Sequence, residues 1–141
     1  SNNTITMSQK NGDSGTVVHE MGHWLERNNP AINEAAIAFR QQRTAGETSR
    51  TMRDLTGLNY NRSEIAKPDD FMDPYMGKIY KDGKSSEIIS MGLEYMYTQP
   101  ARFAQTDPGY FDFIYDVARG RYANGVPESG LPVYEKPGAK P

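Results

Sequence analysis

The chain has 141 residues, room for one hydrophobic core and too few for two ordinary domains. Only 36% of residues are hydrophobic, the formal net charge is -2, and no apolar run approaches bilayer-spanning length, so there is no case for nucleic acid or membrane as partner. Without cysteine there is neither a disulfide framework nor a thiolate ligand, so any metal must be held by His, Asp or Glu.

The chain opens at Ser1 rather than Met and shows no signal-peptide pattern, which fits a piece of a longer polypeptide with Ser1-Asn2 as a cloning remnant; the compartment stays open. Asn3 to Met7 alternates polar and apolar residues and predicts a short strand. Asn11-Gly12-Asp13-Ser14-Gly15 is turn chemistry, with Ser14 or Thr16 as cap for the helix that follows. That helix carries the only two histidines of the protein, in the pattern His19-Glu20-Met21-Gly22-His23. Four residues apart on a helix, two side chains lie about 40° apart around the axis and about 6 Å apart along it, so both imidazoles can reach one ion. Glu20 is turned by about 100° from His19, the place for a general base acting on an attacking water. By chance the pattern would appear in roughly one chain of this length in a few hundred, which favours a metal site over coincidence. Val17, Val18, Met21, Trp24 and Leu25 recur at helical spacing and predict the buried side of the helix. Gly22 costs about 1 kcal/mol of helix stability relative to Ala, so its presence suggests that another backbone passes close by.

Pro30 ends the first helix near Asn28-Asn29 and opens a second, with Asn29 as cap, that runs from Ala31 to about Thr44 and stops at Gly46. Arg40, Arg43, Arg50 and Arg53 read as a solvated face. Glu47 to Asp70 has no period and reads as a long loop, a candidate substrate-binding wall. Phe71 to Tyr80 predicts two short strand pieces before the turn Lys81-Asp82-Gly83-Lys84. Ser85 or Ser86 then caps a third helix that has Glu87 in its first turn and reaches Gln99-Pro100; Glu87, Ser90 and Glu94 fall on one face as a polar stripe. Asp107 caps a fourth helix from Pro108 to Gly120. The Pro- and Gly-rich remainder has no period, and residues from Glu135 to 141 are expected to form a disordered tail.

A catalytic zinc site needs three protein ligands, and two histidines supply two. The third must be a carboxylate, with Glu87, Glu94, Asp69, Asp70 and Asp73 as candidates. Glu87 is preferred because it opens a capped helix, a rigid place for a ligand.

His19-Glu20-Met21-Gly22-His23 with the later Glu87-Ile88-Ile89-Ser90 resembles the gluzincin peptidases, and Tyr80 through Glu87 and Glu94 to Ile114 is similar to the anthrax lethal factor-like branch and to peptidase-like domains of phage head proteins and bacterial toxins. The likeness covers Val17 to Trp24 and Tyr80 to Ile114. It implies a small α+β zincin-like domain, mostly helical with a few short strands, spanning residues 1–134. It also implies one Zn²⁺ per chain on His19, His23 and Glu87, Glu20 as general base and Tyr80 as oxyanion donor. Position 91 is Met where these families place an orienting acid, so Glu94, with Ser90, stands in beside the ligands. The expected activity is zinc-dependent hydrolysis of peptide or protein substrates. The alternative is a zinc-containing structural or binding module of a larger, phage-head-like assembly.

Overall fold

A computed structural model describes residues 13–137. These form a mostly helical α+β structure: α1 (Asp13–Asn28), α2 (Pro30–Arg43), β1 (Arg50–Thr51), α3 (Met52–Thr56), β2 (Ile65–Ala66), a 3-10 turn (Pro74–Gly77), β3 (Lys78–Ile79), α4 (Ile88–Thr98), α5 (Pro100–Thr106) and α6 (Pro108–Ala118). The strands make an antiparallel sheet in the order β1-β2-β3, with Thr51 opposite Ile65 and Ile65 opposite Ile79. No helix among the described residues is long and apolar enough to cross a membrane. The expected strand Asn3–Met7 lies outside the described residues.

The proline punctuation sets the helix ends. α1 stops at Asn28 because Pro30 pushes Asn29 out of the helical region, to φ -139° and ψ 82°. Asn28 and Asn29 turn their side-chain amides back to donate to the Trp24 and Leu25 carbonyls, satisfying acceptors that the helix end leaves free. Asn29 therefore closes α1 and makes no side-chain cap bond for α2, contrary to expectation. Ser14 and Thr16 also differ from expectation, since α1 already begins at Asp13 and both lie inside it. Asp107 caps α6 as expected, accepting from the Tyr110 N–H at 3.2 Å.

The expected buried side of α1 holds in part: Leu25 packs half-buried against the core and Val17 and Val18 are half-buried, but Met21 and Trp24 are not. Met21 is 54% and Trp24 56% exposed, while Gly22 and Glu26 are buried. What α1 offers α4 is a face of Gly15, His19, Gly22, His23 and Glu26, residues three or four apart. Close approach is the reason: a Cβ at position 22 would stand 2.5 Å from Ser90 Cα and 3.0 Å from its nitrogen. Only glycine lets α1 settle on the α4 backbone, and that contact brings the histidines to the first turn of α4.

Behind α4 lies the aromatic core. Phe39 of α2 stacks on Phe113 of α6 at 4.5 Å, and Tyr110 donates to the Ile88 carbonyl at 2.6 Å, fixing the start of α4 from within. Arg40 and Arg43, expected on a solvated face, are buried. Arg40 donates to the carbonyls of Lys78 and Ser85, both at 3.1 Å, and so ties α2 to β3 and to the strap before α4. Arg43, 1% exposed, forks onto Asp107 with two 3.0 Å bonds and onto Asp69 at 2.9 Å. Arg50 and Arg53 are exposed as expected.

Glu47 to Asp70, expected as one loop, contains β1, α3 and β2. Thr51 caps α3 by accepting from the Asp54 N–H, and Gly57 ends it at φ 72°. Of the two strand pieces expected in Phe71 to Tyr80, the first is the 3-10 turn, capped by Asp73 and opened by Pro74, and the second is β3. α5, unforeseen, begins with Pro100 at its first position. Beyond α6 the chain folds back: Tyr122 and Tyr134 are buried, and Tyr134 donates to Asp116 at 2.6 Å. In the expected tail, Lys136 pairs with Asp69 at 2.9 Å and the Glu135 backbone lies against Gly109, while residues 138–141 lie outside the described residues.

Candidate metal centre

The site is built where the second and third turns of α1 meet the first turn of α4. His19 and His23 project from α1 on the face that packs, with ring centroids 4.9 Å apart. Glu87 stands in the N-cap position of α4, 2% exposed, with Ser86 Oγ accepting from the Ile88 N–H at 3.3 Å. Glu87 Oε1 lies 3.3 Å from His19 Nε2 and 3.3 Å from His23 Nε2. One ligand atom from each of these three residues lies within 4.8 Å of the others, so the group can hold a metal ion.

Each imidazole is fixed from behind. His19 Nδ1 donates to Glu94 Oε1 at 2.9 Å, and His23 Nδ1 donates to Glu26 Oε1 at 3.2 Å. A carboxylate can only accept, so both bonds place the proton on Nδ1 and turn each Nε2 toward the shared point. Metal-binding histidines are generally oriented this way, by a carboxylate or carbonyl on the other ring nitrogen. Ser86 Oγ donates to Glu26 Oε2 at 3.5 Å, linking the orienting group of α1 to the start of α4.

The charges respond to this packing. Hydrogen bonds to Glu26 and Glu87 push the metal-free His23 imidazole up to about 10, and the bond to Glu87 raises His19 as well. Burial disfavours the charge on Glu87, but hydrogen bonds from His19, His23 and Tyr80 outweigh it and hold its carboxyl well below the usual range. Tyr80 is raised, by burial first and then by the Glu87 carboxylate, so its hydroxyl stays a donor.

Of the residues singled out in the sequence, His19, His23, Glu87, Ser90, Glu94 and Tyr80 converge. Ser90 Oγ donates to Glu87 Oε1 at 3.1 Å, and Tyr80 Oη donates to Glu87 Oε2. Glu20 sits on α1 next to His19 and is exposed. The other candidate ligands are occupied or apart: Asp69 pairs with Arg43 and Lys136, Asp73 caps the 3-10 turn, Asp70 is exposed, and Glu94 orients His19. Glu26 was not foreseen; its position three residues after His23 on one helix face was the available signal. A cleft of about 270 Å³ opens beside the centre, walled by His23, Arg27, Tyr80, Lys84 and Ser85. A second depression of about 520 Å³, sharing Glu26, Asn33 and Lys84 with it, lies along α2 at Ile37 and Ala38. Comparison with protein families, with curated proteins and with solved structures finds no match to this chain.

Proposed function

We propose that the protein is a zinc-dependent metallopeptidase of gluzincin type, a small zincin-like domain with His19, His23 and Glu87 as zinc ligands and Glu20 as general base. The observation that carries the reading is the convergence of two Nδ1-anchored imidazoles and one buried carboxylate oxygen on a single point. Two of the three separations are those of a tetrahedral zinc shell, since ligands about 2.05 Å from the ion stand about 3.3 Å apart and Glu87 Oε1 lies 3.3 Å from each Nε2; the ligand atoms of all three residues lie within 4.8 Å of one another. Zinc has the same liking for a set of two imidazoles and one carboxylate.

A zinc ion held by His19, His23 and Glu87 would supply Lewis acidity to the attacking water and the scissile carbonyl. The chain supplies the rest. Glu20, carried rigidly beside the ligands by α1, takes a proton from the attacking water on its carboxylate oxygen and delivers it to the departing amine nitrogen. Glu94 and Glu26 keep the two imidazoles aimed, so alignment is set before substrate arrives. The cleft walled by Tyr80, Lys84 and Ser85 gives a peptide a place to lie next to the centre.

Metal analysis tests the ligand set. Protein purified with zinc in the buffer should carry one zinc per chain, and His19→Ala, His23→Ala and Glu87→Ala should each lose it, because no neighbouring group replaces a lost ligand. Full zinc retained by Glu87→Ala would overturn the third ligand. A wild type that takes up no zinc would overturn the reading as a whole.

A further inference from the structure

The family resemblance gives the Tyr80 hydroxyl to the oxyanion; the geometry points to a different use. The two oxygens of Glu87 have different neighbours. Oε1 faces His19 Nε2 and His23 Nε2, each at 3.3 Å, and also accepts from Ser90 Oγ at 3.1 Å. Oε2 accepts from Tyr80 Oη. The phenol bond on Oε2 takes one of that oxygen's lone pairs and opposes the rotation that would bring Oε2 onto the metal point as well, so it favours one-oxygen ligation.

The phenol is itself held. Tyr80 directly follows β3, whose register is set by the pairing of Ile79 with Ile65 and Lys78 with Ala66. Lys78 Nζ lies 4.6 Å from the Tyr80 ring centroid and is tethered to Glu64 Oε1 at 2.8 Å, a cation placed over the ring. Tyr75, five residues earlier, stacks on Tyr60 at 6.2 Å and makes no bond to Glu87 among those of the described residues. The hydroxyl that reaches the ligand is thus singled out by the fold.

We infer that Tyr80 is a positioning residue for the metal: its hydroxyl holds Glu87 in one-oxygen ligation, with Ser90 steadying the metal-facing oxygen. The consequence for function is direct, since a two-oxygen Glu87 would take up the position that a catalytic zinc site leaves open. This inference rests on the His19, His23 and Glu87 ligand set proposed above.

The test uses zinc and cobalt as probes on the full chain. Zinc affinity is measured by competition with a chromophoric chelator for wild type, Tyr80→Phe and Tyr75→Phe, and the visible spectrum of each Co²⁺-loaded form is recorded. Tyr80→Phe should weaken zinc by about 10 to 100-fold, the usual effect of losing an outer partner of a ligand, and its Co²⁺ bands should lose intensity as coordination number rises. Tyr75→Phe should match wild type in both. A Tyr80→Phe protein with wild-type zinc affinity and Co²⁺ spectrum, impaired only in turnover, would overturn the inference in favour of an oxyanion donor. X-ray absorption at the zinc edge of the unsubstituted protein needs no variant: a single carboxylate oxygen in the shell is expected, and a two-oxygen carboxylate would overturn it. A wild type that binds no zinc contradicts the ligand set itself; a wild type that binds zinc, with Tyr80→Phe indistinguishable from it, contradicts only the role of Tyr80.

Discussion

Gly22→Ala adds one methyl group, and the sign of its effect depends on the contact between α1 and α4. In a helix free of neighbours alanine is better than glycine by about 1 kcal/mol. Here the new Cβ would stand 2.5 Å from Ser90 Cα, whereas ordinary contact begins near 3.4 Å. The neighbour is backbone rather than the end of a flexible side chain, so the two helices must part by about 1 Å, the difference between those two distances, and overpacking of this kind costs about 1–3 kcal/mol. After the gain in propensity we expect a net loss of about 2 kcal/mol, the upper part of that range applying because the obstacle is rigid. For a chain of this length that lowers Tm by about 6–8 °C. Ser90 lies in the first turn of α4 and Glu87 is its N-cap residue, so parting the helices also draws Glu87 away from His19 and His23, and zinc affinity should fall with stability. Calorimetry of the metal-free protein and chelator competition measure the two quantities. A Tm raised by a few degrees with zinc affinity intact would refute the close approach and the way the site is assembled from it.

Other outcomes follow from the same contacts. Glu26→Gln and Glu94→Gln should each lower zinc affinity by about 10 to 100-fold, by loosening His23 and His19 respectively, and chelator competition reads this directly. Arg43→Ala leaves Asp107 and Asp69 without their buried guanidinium; the loss should be about 3–5 kcal/mol in urea unfolding, far above that of an exposed arginine such as Arg53. In the metal-free protein the His23 pKa is raised from 6.5 to about 10, so its charged form stabilises the fold fully below pH 6.5, and this contribution is lost as pH rises toward 10. Metal-free stability should therefore decline across that window, while zinc binding should tighten and release protons, as titration calorimetry in buffers of different ionisation enthalpy would show. A metal-free Tm that rises from pH 7 to 10 would contradict the proton placement.

What could be read from the sequence was what local rules govern. Pro30, Pro108 and Asp107 set helix boundaries within the first turn, where a fixed φ and a side-chain acceptor act without help from distant residues. The spacing of His19 and His23, the stripe of Glu87, Ser90 and Glu94, and the need for a close backbone at Gly22 were readable because helical geometry places them whatever the rest of the chain does. Two-residue strands carry no period, so β1 and β2 were hidden in an apparent loop. Arg43 looked solvated because its partners are 26 and 64 residues away. Met21 and Trp24 misled for a related reason: apolar spacing marks a buried side only when apolar contact drives the packing, and α1 approaches α4 through glycine and its ligand-bearing face instead. Glu26 was within reach of the i, i+3 rule, yet a glutamate near a helix end reads as solvated until the strap at Ser86 is seen to cover it.

The central claim is that Glu20 acts as a base beside a zinc held by His19, His23 and Glu87. It is tested most directly by comparing cleavage of a peptide library by zinc-loaded wild type and zinc-loaded Glu20→Gln, at matched zinc content. The account predicts that both proteins hold one zinc and melt alike, that wild type cleaves, and that Glu20→Gln is slower by at least about 10² to 10⁴-fold, the contribution of a positioned acid-base group. Equal cleavage by the two proteins, or a fully zinc-loaded wild type that cleaves nothing in the library, would contradict it.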